Sequence, residues 1–217
     1  MAQGGLGGGM MLDIVLRSLW VSGTATALAL LWGLPLALLL GLKEFRGRRV
    51  VLNLFHTLLG LPTVTLGLLL YLLLSSRGPL GPLHLLYTPS AMMLGQALLV
   101  TPIMVSLLAD ALQAVDPAVR DLARTLGASE RQASLVVLGE ARRGAVLAVL
   151  ASFNRAISEL GVAMMLGGNI HGYTRVMTTA IALETAKGEI LLSLQLAIIL
   201  LSLVFFLNFL ANMLGRR

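Results

Sequence analysis

Five long apolar runs dominate the chain, at residues 19–42, 50–74, 90–112, 144–166 and 190–214. A helix rising ~1.5 Å per residue needs about 20 mostly apolar residues to cross the hydrocarbon layer of a membrane. Each run reaches that length. None alternates with a period of two, so strands of a membrane barrel are not indicated. The pattern predicts an all-α integral membrane protein with five transmembrane helices, forming one domain over residues 13–217. Residues 1–12 are glycine-rich, and they are expected to form a separate, disordered extension. Their run is uncharged through Met10 and leads into an apolar stretch too long for a secretory signal, so Met10 or Met11 could be the true start.

Composition agrees with that pattern. The chain has 217 residues, of which 57% are hydrophobic and only 12% charged. Soluble domains carry about 25% charged residues, so a soluble globule is excluded, as is a disordered chain. There is no cysteine, which removes disulfides, thiolate metal sites and thiol catalysis. His56, His84 and His171 are scattered and read as structural or surface residues rather than a metal set.

The net charge of +6 is an orientation signal. Eleven of the 16 basic residues fall in the first loop (Lys43, Arg46, Arg48, Arg49), the third loop (Arg120, Arg124, Arg131, Arg142, Arg143) and the C-terminus (Arg216, Arg217). Four fall on the opposite side: Arg17, Arg77, Arg175 and Lys187. By the positive-inside rule the N-terminus lies outside and the C-terminus in the cytoplasm. The excess gives no indication of nucleic acid.

Gly33, Pro35, Gly60, Pro62, Gly67 and Pro102 interrupt the spans. Such breaks survive where protein or water covers the freed carbonyls, as along a transport path. The fourth span carries Asn154, Arg155, Ser158 and Glu159. Arg155 and Glu159 stand four apart, share a helix face and can pair. A charge within the hydrocarbon costs several kcal/mol, from about 2.5 upward, so this face points away from lipid. Two readings stay open: a neutralised pair that locks packing, or a wall or gate of a translocation path. The span stops at Gly167-Gly168-Asn169.

The third loop, residues 113–143, is long for a connector and reads as two short helices. Asp116 caps the first and Pro117 opens it, and Gly127 stops it in a left-handed turn. Ser129 with Gln132 reads as a capping box that starts the second. The hairpin either docks a cytoplasmic partner or lies on anionic headgroups through its arginines.

Asp121-Leu122-Ala123-Arg124-Thr125-Leu126-Gly127 resembles the "EAA" loop of membrane subunits of ATP-binding-cassette importers. Asp121, Ala123, Gly127 and Val137 stand at motif positions, whereas Leu122 and Gly139-Glu140 depart from it. Leu61-Pro62-Thr63-Val64, Gly78-Pro79-Leu80-Gly81, Phe153-Asn154-Arg155-Ala156 and Gly168-Asn169-Ile170 resemble molybdate, sulfate and tungstate permeases. The segment 174–185 is most similar to the tungstate branch.

The resemblance implies the type I importer core, with a cytoplasmic helical coupling loop at residues 116–140. It implies a permease subunit, not an enzyme, in the cytoplasmic (inner) membrane of a prokaryote. The chain has no Gly-x-x-x-x-Gly-Lys-Ser/Thr loop, so ATP and Mg belong to a partner rather than to a cofactor site here. The implied partners are a second copy of the chain, two ATPase subunits, membrane lipid and an extracytoplasmic oxyanion-binding protein. Asp121, Leu122, Ala123, Arg124, Gly127, Ala128 and Ser129 would contact the ATPase. Asn154, Arg155, Ser158 and Glu159 would line the path or gate. Tyr173, Arg175 and Lys187, on an outer helix expected at 173–187, would dock the binding protein. The alternatives are molybdate or sulfate as cargo, or, from another class, an ion-coupled carrier with Glu159 as its proton site. No nucleophile–base set supports a membrane enzyme.

Overall fold

The computed structural model describes residues 4–214, so Arg216 and Arg217 lie outside the described residues. Among the described residues ten α-helices follow one another, with short 3-10 turns between some of them: α1 (Gly4–Leu42), α2 (Arg48–Thr57), α3 (Thr63–Leu74), α4 (Pro89–Gln113), α5 (Pro117–Thr125), α6 (Glu130–Glu140), α7 (Arg142–Ile157), α8 (Gly161–Gly167), α9 (Met177–Ala186) and α10 (Ile190–Leu214). Among the described residues there is no strand.

Among the described residues three helices are long and apolar enough to cross a membrane unbroken, within α1, α4 and α10. The second and fourth apolar runs are not single rods. The second bends by 100° between 48–60 and 63–74, and the fourth by 58° between α7 and α8. The first bend has a local cause. Pro62 offers no N–H and holds the residue before it, Leu61, extended at ψ 124°. If each bent pair is one crossing, the chain crosses five times. Pro35 and Pro102, by contrast, sit inside helices that continue through them.

The first helix begins well before residue 19. The glycine-rich opening, expected to stand apart, is from Gly4 onward continuous with α1. Met10 and Met11 pack against a core of Ile14, Ile157, Met177, Ala180 and Leu196, which gives that end of α1 a tertiary anchor. At 39 residues α1 is about twice the length that a crossing requires.

The centre of the molecule is α4. In its apolar window 72% of the residues are buried, against 11% in that of α10, whose long apolar side chains face outward. The helix that lies along α4 is α1, and its contact stripe is made of small residues four apart. Ala25, Ala29 and Ala37 are fully buried there, and Gly33 and Gly41 meet Met104 and Leu112. Helices inside a bilayer gain nothing from burying apolar surface away from lipid that is itself apolar. They associate by close backbone approach, which small residues permit. α7 packs on the same core through Ala148 and Ala156.

The α4–α7 contact is equally tight. A Cβ at Gly144 would come within 2.4 Å of the Ala111 Cβ, an atom with no rotamer to move away. Gly144→Ala should therefore lower the detergent unfolding midpoint by roughly 3–8 °C, from about 1–3 kcal/mol of overpacking. Gly139→Ala, on a helix surface with nothing within 4 Å, should leave the midpoint equal or higher. Equal midpoints for the two variants would contradict this packing.

Candidate functional site

The break in the fourth apolar run is built around Glu159. α7 ends at Ile157, and the Glu159 carboxylate accepts the Val162 N–H at 3.1 Å, satisfying a donor in the first turn of α8. Its other oxygen pairs with Arg155. Its main-chain carbonyl accepts the Thr178 hydroxyl of α9 at 2.8 Å. The carboxylate is 2% exposed, whereas Arg155 is 36% exposed. The pair thus presents one guanidinium face to the open and keeps the negative charge inside.

That face borders a cavity of about 530 Å³. Its wall includes Thr63 and Val64 at the start of α3, Arg155, Ser158 and Glu159 at the break, and Met164 and Met165 on α8. Arg155, Ser158 and Glu159 are therefore brought together, as the sequence spacing implied. Asn154 is not with them. It turns to the other side of α7 and its side-chain amide donates to Asn208 on α10 at 3.0 Å, while its Oδ1 is buried without a partner. Asn208 was missed in the sequence. Its signal was an amide, with Gln195 and Asn212 one of three, inside an apolar run.

At the end of the molecule where α9 begins, Arg175 is not a free surface residue. Its side chain is 13% exposed and lies 3.6 Å from Glu184, itself buried on α9. Lys187 donates to the same carboxylate at 3.1 Å but is half exposed, and Tyr173 is exposed. The helix starts at Met177 rather than 173 because residues 170–175 form a tight turn. There the Ile170 carbonyl accepts the Thr174 and Arg175 N–H groups. On α9, Met177, Thr179, Ala180 and Glu184 are buried.

The third loop forms a two-helix hairpin. Asp116 accepts the Ala118 N–H at 2.9 Å, and Ser129 and Gln132 exchange the two bonds of a capping box. Gly127 turns the chain at φ +89°, a conformation that favours glycine. Glu130, absent from the candidate set, ties the hairpin together. It takes Arg120 at 2.7 Å and Arg124 at 3.1 Å. The hydrogen bond from Arg120 holds its carboxyl below the ordinary range, aided by the charges of Arg124 and Lys43. On the outer side of α5 Leu122 is 62% exposed, and Leu126, just past its end, is 81% exposed. The two leucines, one turn apart, leave a bare apolar face on the hairpin. Ala123 is buried, while Asp121 and Arg124 are exposed. Among the described residues no three His, Asp or Glu side chains gather as a metal set.

The sequence matches the family described as "Binding-protein-dependent transport system inner membrane component" over residues 33–217. A Haloferax volcanii protein named "Probable anion ABC transporter permease protein" is 42% identical over 203 residues, covering 91% of this chain and 88% of the relative. The tungstate uptake system permease protein TupB of Peptoclostridium acidaminophilum is 38% identical over 195 residues, covering 90% and 86%. In structure the chain is similar to the MetNI methionine ABC transporter in an inward-facing crystal form. The TM-score is 0.76 at 18% identity, with 95% of each chain covered. That likeness gives the fold, the core of type I importer permeases. With a family match that spans most of the chain, this protein is a multi-pass membrane permease component of the binding-protein-dependent, ATP-binding-cassette transport family.

Proposed function

We propose that the chain is the permease subunit of an ATP-driven oxyanion importer, with tungstate as its cargo. The observation that carries the cargo is the similarity to a permease named for tungstate uptake over 90% of this chain. The exposed Leu122–Leu126 face of the hairpin supports the energy source, because this chain has no phosphate loop of its own. In this reading the hairpin sits in the cytoplasm and seats on a separate ATPase that carries ATP and Mg. Two copies of the chain frame the path between them. An outer binding protein delivers the anion near Tyr173 and Lys187, and Arg175 braces that surface through Glu184. The N-terminus lies outside. The Arg155–Glu159 pair walls the path without gripping the anion, since the guanidinium is already neutralised by its carboxylate. Selectivity then resides mainly in the binding protein.

The test is transport by the permease reconstituted with its ATPase and its binding protein. ATP-dependent tungstate uptake is expected, with molybdate competing more weakly and sulfate least. Uptake that runs on a proton gradient without ATP would overturn the importer in favour of an ion-coupled carrier. ATP-driven uptake in which molybdate outcompetes tungstate would reassign the cargo alone.

A further inference from the structure

The C-terminal end of α1 is held by two arginines. The last carbonyls of a helix have no partner within it and carry the negative end of its dipole. Arg48, at the start of α2, donates to the Leu40 carbonyl at 2.6 Å and to that of Gly41 at 3.1 Å. Arg120, on α5 of the hairpin, donates to the Leu42 carbonyl at 2.6 Å. Its other terminal nitrogen bonds Glu130 on α6. One guanidinium therefore joins three helices.

Among the described residues, no other side chain of the hairpin hydrogen-bonds or ion-pairs with a membrane helix. The remaining ties are the chain itself and apolar contacts of Val119, Val137, Leu138 and Ala141. Apolar contact is non-directional and lets surfaces slide. A charge-assisted bond holds a fixed distance and direction. Displacement of α5 will thus pull on α1 through Arg120 more directly than through the apolar contacts.

α1 in turn reaches the far end of the molecule. Some 25 residues before Leu42, about 38 Å at helical rise, Arg17 donates to the Gly172 carbonyl at 2.9 Å and to that of Arg175 at 3.2 Å. The Ser18 hydroxyl accepts the Met177 N–H at 2.7 Å, capping α9. Between these ends α1 is a continuous helix, and its small-residue stripe lies against α4. We propose that Arg120 is a positioning residue that links the hairpin to α1, and that α1 carries hairpin displacement to the 172–177 segment at the opposite end.

The inference rests on the importer reading, and it is tested in the complex reconstituted with ATPase and binding protein. The chain has no cysteine, so His171→Cys, at an exposed position beside that segment, gives a single labelling site. In the otherwise wild-type permease, ATP should change the emission of a fluorophore there. Arg120→Met keeps the stem and removes the donors. It should leave ATPase co-purification and ATP hydrolysis within twofold, cut uptake per ATP at least tenfold and reduce the label response at least fivefold. Glu130→Gln, which retains an acceptor and the Leu42 bond, should keep uptake per ATP within threefold. Unchanged uptake per ATP and label response in Arg120→Met would overturn the linkage. So would a parallel loss of co-purification, hydrolysis and uptake, because Arg120 would then only keep the hairpin folded. An equal loss in Glu130→Gln would overturn it too. Absence of ATP-driven uptake in the wild-type complex would remove the importer reading itself.

Discussion

Arg155→Leu is expected to cut uptake at least tenfold at equal expression, while binding of the delivery protein is unchanged. The Glu159 carboxylate is 2% exposed, and among the described residues its partners are Arg155 and the Val162 amide. Removing the guanidinium leaves a buried carboxylate with a single neutral donor. An ion pair broken on one side costs about 3–5 kcal/mol, because the remaining charge is uncompensated. That cost falls on the α7–α8 break, where Glu159 also holds Thr178 of α9 through its carbonyl. The substitution loosens the junction and strips the 530 Å³ cavity of its one cationic wall residue.

A second variant separates these two consequences. Glu159→Gln keeps an acceptor for Val162 and needs no counter-charge, so Arg155→Leu with Glu159→Gln should recover most of the thermal stability that Arg155→Leu loses. If the pair only locks packing, uptake recovers with stability. If Arg155 walls the path, stability returns and uptake stays low, which is the outcome expected here. Wild-type uptake in Arg155→Leu alone would end any functional role for the pair. In the importer reading the delivery protein docks near Tyr173 and Lys187, so its affinity for the permease is the internal control.

The local features of the chain are legible in the sequence alone. Asp116, Pro117, Gly127, Ser129 and Gln132 act within three or four residues of themselves, so their spacing already specifies a capped hairpin. Arg155 and Glu159 share a face by helix geometry alone. What the sequence did not reveal depends on residues far apart along the chain. Asn154 lies one position from Arg155, yet it faces Asn208, 54 positions away. Helical periodicity says that the two side chains diverge, but not toward which helix. The Arg175–Glu184 pair and the Arg120–Leu42 bond have the same character. Each basic residue looked exposed in a polar loop, and the fold turned it inward onto an acceptor. The break at 158–160 was hidden for a different reason. No Pro or Gly stands at 158–160, and the interruption comes from a side chain competing for a main-chain donor.

Gly127→Val should abolish stable association with the ATPase while the permease still inserts in the membrane. Gly127 has φ +89°, and a Cβ added there would meet nothing within 4 Å, so the penalty is purely one of backbone conformation. A residue with a Cβ pays about 1–2 kcal/mol in the left-handed region, and a β-branched one is a more severe outlier. The turn is relieved by moving to negative φ. That breaks the bonds from the Gly127 N–H to Arg124 and from the Ala128 N–H to Ala123, each 3.0 Å. It also swings α5 away from Glu130, and with it the exposed Leu122 and Leu126. About 1.4 kcal/mol is already tenfold in affinity, so co-purification should fall at least tenfold. Gly127→Asn, whose side chain tolerates this region, should stay within threefold of wild type. Insertion is fixed by the apolar spans and should be equal in all three proteins. Normal co-purification of Gly127→Val would show that the turn does not set the hairpin geometry the ATPase engages.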